Sequence, residues 1–200
     1  MSRLPLFPLP VVLLPGTPLP LHIFEPRYRR LVTDCLERGA PFGIVYHDPD
    51  VHGPFLLEAG RVGTEARIEA HDPLPDGRSL ILVRGGERFA IREGLDSETP
   101  YYEALVEPYG DVQPHGAAIP ERRARSLALL ETAVLAMGGA SAEVPVLAPG
   151  SEASFPLARC LQIAPAWLQS LLELRSERER LERLDAIFRA AAGGGGSTGA

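Results

Sequence analysis

Six prolines stand within eighteen consecutive uncharged residues, Leu4 to Leu21, LPLFPLPVVLLPGTPLPL. By hydropathy alone such a run behind Arg3 would pass for a secretory core or a membrane span. The prolines exclude both. Pro5, Pro8, Pro10, Pro15, Pro18 and Pro20 each lack a backbone donor, and an interior proline costs a helix about 3 kcal/mol. Extended chain is what remains, so Leu4 to Leu9 and Val11 to Leu14 are predicted as short strand or polyproline pieces, and Pro15-Gly16 as a turn. The segment reads as a core strand of a β-rich domain.

A helix follows. Glu25 places negative charge at its start, Pro26 suits the first helical position, and Gly39 suits the position after its end. Tyr28, Leu31, Val32, Cys35 and Leu36 fall on one face, and Arg29, Arg30, Asp34, Glu37 and Arg38 take the other. Between Arg61 and Ala70, Val62, Thr64, Ala66, Ile68 and Ala70 alternate with polar residues or glycine, the period of a half-buried strand. Pro75-Asp76-Gly77 is a turn. Gly85-Gly86 reads as the two-residue connection of a hairpin between Leu80 to Arg84 and Glu87 to Arg92.

The runs LPLFPL, VLLPG and LPLHIFEPRYRRLV together resemble the opening of the Lon protease N-terminal (substrate-binding) domain family. The stretch from Val62 to Ile91, the strand PYYEALVE and the closing FPLARCLQIAPAWLQSLLELRSERERLERLDAIF are similar to later parts of the same family. The resemblance implies an α+β fold: a twisted, PUA-like β pseudo-barrel with one embedded helix, then a helical bundle. The expected divisions are 1–117, 118–192 and a flexible tail at 193–200.

The helical part is also legible in the residues. Glu121 to Met137 places Leu127, Leu130, Val134 and Met137 on one side and stops at Gly138-Gly139. A short helix is expected near Ala153 to Leu161, and a long one from Pro165 to about Ala191. The charged turn Arg175 to Arg180 reads as a solvated face. With 45% hydrophobic residues, 200 residues hold a substantial core. Cys35 and Cys160 lack CxxC spacing and read as small buried hydrophobes, which fits a reducing cytoplasm and a soluble protein without a membrane segment.

All 20 basic residues are arginine. A Walker A loop, a Ser-Lys peptidase dyad and Schiff-base catalysis each need a lysine, so none can be built from these residues. Full-length Lon proteases carry an ATPase and a Ser-Lys site, and the resemblance does not bring either here. No Ser, His and Asp combination is apparent, and Glu87 and Glu103 read as isolated carboxylates. His47-Asp48-Pro49-Asp50-Val51-His52 gathers metal-binding side chains, the basis of an alternative reading as a metal-dependent hydrolase. Its irregular spacing and Asp-Pro step favour a solvated loop, so no metal, cofactor or catalytic residue is expected.

PUA-like folds also occur in RNA-binding proteins, the second alternative. A net charge of −6 argues against nucleic acid, with Arg27, Arg29 and Arg30 solvating a helix. The expectation is therefore a non-catalytic module that binds unfolded or apolar polypeptide segments and works with an AAA+ protease. Leu14, Phe24, Tyr28, Phe42 and Tyr46 are candidate lining residues, against plain core packing of the same side chains.

Overall fold

The computed structural model describes residues 1–112, 119–137, 145–148, 150–160 and 162–194. They divide into two compact units, Met1–Gly110 and Asp111–Ala200.

The first unit holds strands β1 (Ser2–Leu9), β2 (Pro18–Ile23), β3 (Phe42–Tyr46), β4 (Val62–Pro73), β5 (Ser79–Leu95) and β6 (Tyr102–Pro108), with helices α1 (Pro26–Arg38) and α2 (Pro49–His52). Their order is β2-β5-β4-β3-β1-β6, and β5 also pairs with β6. That extra pairing closes β5, β4, β3, β1 and β6 into a ring and leaves β2 outside it. Closure depends on the 17 residues of β5, whose first part pairs with β2 and whose last part pairs with β6. Strand β1 is parallel to β3 and antiparallel to β6.

Alternation along the strands supplies two apolar clusters. On β1, Leu4 and Leu6 join Val45, Phe89, Ile91 and Val106, while Phe7 joins Tyr28, Leu31, Phe42, Ile44 and Val83 beneath α1. The ring of Phe7 stacks on Tyr28 with centroids 3.8 Å apart. Helix α1 starts at Pro26 and ends where Gly39 takes φ 59°, as the sequence indicates. Tyr28, Leu31, Val32 and Cys35 are buried, and Leu36 is exposed at the edge of the stripe. Burial pushes the Cys35 thiol up to about 11.

Several expectations need correction. Strand β5 runs unbroken through Gly85 and Gly86, and neither glycine has positive φ. Close approach explains Gly85: a Cβ there would lie 2.2 Å from the Leu14 carbonyl oxygen. Its N–H donates to Thr17 O at 2.9 Å, and its carbonyl accepts from Gly16 N–H at 2.8 Å. Beside it, β5 has one residue more than β4 between the pairs Thr64↔Arg88 and Ala66↔Gly85, a bulge. The hairpin turn between β4 and β5 lies at Leu74 to Arg78 instead, around Pro75-Asp76-Gly77. Residues 11–14 form no strand, because the chain there turns to lie against Gly85.

The second unit holds α3 (Ile119–Ala136), α4 (Ser154–Ala158), α5 (Pro165–Leu172) and α6 (Glu177–Gly194). Helices α3 and α6 pack together, burying Leu130, Ala133, Leu181, Leu184 and Phe188. The single long helix expected from Pro165 is two helices, broken after Leu172. The charged turn is no solvated face either. Glu177 and Arg180 are each 1% exposed. Arg123 donates to Glu177 at 2.8 and 2.6 Å, and Arg180 donates to Asp111 at 2.7 and 2.8 Å and to Ser154 Oγ at 2.7 Å. These partners offset the desolvation that burying such charges entails. Gly138-Gly139, Leu161 and 195–200 of the expected tail lie outside the described residues; Gly193 and Gly194 end α6.

Candidate functional site: an apolar outer sheet face

Beyond the ring, β2, the first part of β5 and the end of β4 form a three-stranded extension. Its inner face carries Ile23, Ile81 and Val83, with Leu19, Leu21 and Ile68 packed beside them. The register sets the other face. Pro20 stands opposite Leu82, which stands opposite Ala70, and His22 stands opposite Leu80, which stands opposite Asp72. Residues directly opposite share a face, so these rows point outward together. Pro20, His22, Leu80 and Ala70 are exposed and Leu82 is half-buried. Phe24, just past the end of β2, is 58% exposed, its ring centroid 5.8 Å from that of His22. Leu80 is 47% exposed. Phe24, Leu80, Leu82, Pro20 and Ala70 thus form an apolar patch rimmed by Arg84, Glu69 and Asp72. Arg84 donates to Gly16 O at 3.1 Å and pairs with Glu69 at 2.5 Å.

The free edge of β2 is poorly suited to strand addition. The Gly85 N–H bond to Thr17 O makes Pro18↔Arg84 a non-hydrogen-bonded pair, and the alternation of antiparallel pairing makes Pro20 and His22 the same. Their backbone groups therefore face the free edge, and two of those three positions are prolines with no N–H. What this face offers a ligand is side chains.

Of the five lining candidates read from the sequence, only Phe24 lies in this patch. Leu14, Tyr28 and Phe42 are buried at 3% exposure or less. Leu14 accepts from Thr17 Oγ1 at 2.7 Å, and Tyr28 and Phe42 pack on Phe7. Tyr46 is half-buried, edge-on to His52. Leu80, Leu82, Pro20 and Ala70 are not among the residues that the sequence suggested. The signal for them is in SLILV: a strand that buries one face alternates, and one apolar in both parities presents an apolar surface on its second face as well.

The histidine-rich segment is also not a simple loop, because Asp48 caps the single turn of α2 by accepting from Asp50 N–H at 3.1 Å. His47 donates from Nε2 to the Gly53 carbonyl at 2.8 Å, and His52 Nδ1 lies 3.0 Å from the Asp48 carbonyl. His47 packs edge-on against Phe55, and its buried Nδ1 has no hydrogen-bond partner among the described residues. Among the described residues, no three His, Cys, Asp or Glu side chains converge as a metal site.

Two buried carboxylates lie near the β1 end of the ring, lining a cavity of about 510 Å³ with Arg3, Arg38 and Thr99. The Tyr101 hydroxyl donates to Asp34 at 2.7 Å, and Arg30 pairs with it at 2.8 Å; the hydroxyl foremost, then Arg30, holds the Asp34 carboxyl below its usual range. Burial pushes Glu103 upward, but hydrogen bonds from Arg3, Ser97 and Thr99 outweigh it and hold the group low. Glu103 is therefore not isolated. Both acids are already paired, which suits a structural role better than proton transfer.

A family model described as the ATP-dependent protease La (LON) substrate-binding domain matches residues 3–187. The chain belongs to this family. The matched domain is the substrate-binding, non-catalytic part of Lon. Among curated relatives, the Lon protease of Cytophaga hutchinsonii is 32% identical over 115 residues, covering 56% of this chain and 14% of that protein. That of Amoebophilus asiaticus is 38% identical over 96 residues, covering 48% and 12%. The chain thus spans a small fraction of these relatives' length. A crystal structure of a Lon N-terminal domain protein from Xanthomonas campestris superimposes with TM-score 0.65 at 29% identity, covering 93% of this chain and 98% of that one. The N-terminal domain of Mycobacterium avium complex Lon protease shares the fold, with TM-score 0.73 at 17% identity, covering 94% and 98%. The Lon substrate-binding fold is thereby established: a PUA-like pseudo-barrel followed by helices.

Proposed function

We propose that this chain captures apolar polypeptide segments on the outer face of β2, β5 and β4 and delivers them, in the cytoplasm, to an AAA+ protease on another chain. Membership of a substrate-binding family supports capture. The observation that carries the choice of surface is the group Phe24, Leu80, Leu82, Pro20 and Ala70, apolar side chains exposed or half-exposed on a three-stranded face whose other side is already packed. Burying apolar area contributes about 25 cal/mol per Å², so covering about 200 Å² of the patch yields about 5 kcal/mol before ordering losses. Such binding is weak and permissive, as suits a surface that meets many sequences. Delivery to a protease is supported by the curated relatives, which are Lon proteases; the 200 residues themselves hold no lysine, which both the ATPase and the Ser-Lys peptidase chemistry require.

The test is a peptide array read against the wild-type chain and the Phe24→Ser, Leu80→Ser double variant. Apolar and aromatic peptides are expected to be retained over polar ones, and the double variant to lose about tenfold in affinity. Equal retention of polar and apolar peptides would sink the capture reading, and unchanged binding by the variant would sink the choice of surface. For delivery, a pull-down from native lysate with and without ATP is expected to recover an AAA+ protease with its clients.

A further inference from the structure

On the opposite face of the same extension, a cleft of about 490 Å³ opens between the start of α1 and the β4–β5 turn. Arg29, Arg30, His71 and Arg78 line it, and no carboxylate does. This concentrates cationic side chains at one place on a chain of net charge −6. Two of the three guanidinium groups have acidic partners just outside the cleft: Arg30 pairs with Asp34 at 2.8 Å and Arg78 with Asp76 at 2.6 Å. Arg29 has no carboxylate partner among the described residues. Its guanidinium lies against Gly77, whose φ of 79° sets the β4–β5 turn. Glu25, the N-cap residue of α1, pairs with Arg27 at 2.9 Å and does not line the cleft.

We propose that this cleft binds the carboxylates of acidic residues that flank the apolar core of a captured segment, with Arg29 as the principal contact. The inference rests on the capture reading above and narrows its substrate class. Phe24 of the apolar patch precedes Pro26 of the cleft by two residues. A segment that leaves Phe24 around this end of the sheet reaches the cleft, on the other face, within a few residues. A planar guanidinium suits a carboxylate through paired N–H donors, and a partly enclosed cleft screens the pair less than open surface does.

The experiment is fluorescence anisotropy on the full 200-residue chain with three labelled peptides that share one apolar core and carry Glu, Lys or neutral flanks. The Glu-flanked peptide is expected to bind about tenfold tighter than the Lys-flanked one at low ionic strength, with the gap narrowing as salt is raised. Arg29→Gln is expected to remove most of that discrimination, and Arg92→Gln, an arginine paired with Glu107 elsewhere on the ring, to leave it unchanged. Equal affinity for Glu and Lys flanks overturns the proposal. So does full discrimination in Arg29→Gln, or displacement of the Glu-flanked peptide by structured RNA that itself binds more tightly. If the neutral peptide binds but flanking charge has no effect, this inference alone fails; if no peptide binds, the capture reading fails with it.

Discussion

Arg180 grips both carboxylate oxygens of Asp111, at 2.7 and 2.8 Å, while its own side chain is 1% exposed. Its guanidinium also lies 4.5 Å from the centre of the Phe155 ring. A charge this deep is stable only with its partners, and removing one member of such a set typically costs about 3–5 kcal/mol. Arg180→Met is therefore expected to destabilise the helical unit by that amount. Arg178→Ala, two residues earlier and largely in solvent, should change stability by less than about 0.5 kcal/mol. Urea melts followed by circular dichroism distinguish the two, and equal midpoints for both variants would contradict a buried role.

Gly85 and Gly86 are neighbours with opposite tolerances. A Cβ at Gly85 meets the Leu14 carbonyl at 2.2 Å, backbone that cannot step aside cheaply, whereas one at Gly86 meets nothing closer than 3.4 Å. Gly85→Ala should cost about 1–3 kcal/mol and Gly86→Ala well under 1 kcal/mol. Thermal midpoints of the two single variants provide the measurement, and a larger loss from Gly86→Ala would contradict the packing.

Exposure separates the candidate surface from the core. Tyr28→Ala and Phe42→Ala remove buried rings and should each destabilise the ring unit by about 3–5 kcal/mol. Phe24→Ser, at an exposed ring, should leave the melting curve nearly unchanged while weakening apolar peptide binding. A destabilisation by Phe24→Ser as large as that of Phe42→Ala would remove Phe24 from the candidate surface.

Acid should act on Asp34 and Glu103 with one sign and on Glu152 with the other. Asp34 and Glu103 are held below their usual values of 3.8 and 4.5, so the stability they supply is complete above that range and is lost as the pH falls through their folded values. Burial instead raises the Glu152 carboxyl, which disfavours the folded helical unit at neutral pH; that penalty is relieved as the pH falls through its folded value. Tyr101→Phe deletes the donor 2.7 Å from Asp34 and should bring its titration back toward 3.8, moving the acid-unfolding midpoint of the ring unit to higher pH. Carboxyl titration by NMR checks the shift, and an unmoved Asp34 would rule out Tyr101 as its chief cause.

Local rules made much of the fold legible. The prolines excluded a helix across Leu4 to Leu21, Pro26 and Gly39 bounded α1, and alternation located the start of β4. These are properties of single residues and their near neighbours, so sequence carries them. Gly85-Gly86 misled because a turn glycine and a glycine that admits another backbone look alike until the chain at Leu14 and Thr17 is in place. Arg175 to Arg180 misled for a similar reason: Asp111, Arg123 and Ser154, which allow two of its charges to be buried, are 26 to 69 residues away in the chain. Family membership and the missing lysines were thus determined by sequence alone. Which apolar side chains fill the core and which remain in water was decided only by tertiary structure, because Phe42 and Phe24 are the same residue type and differ only in what the rest of the chain brings against them.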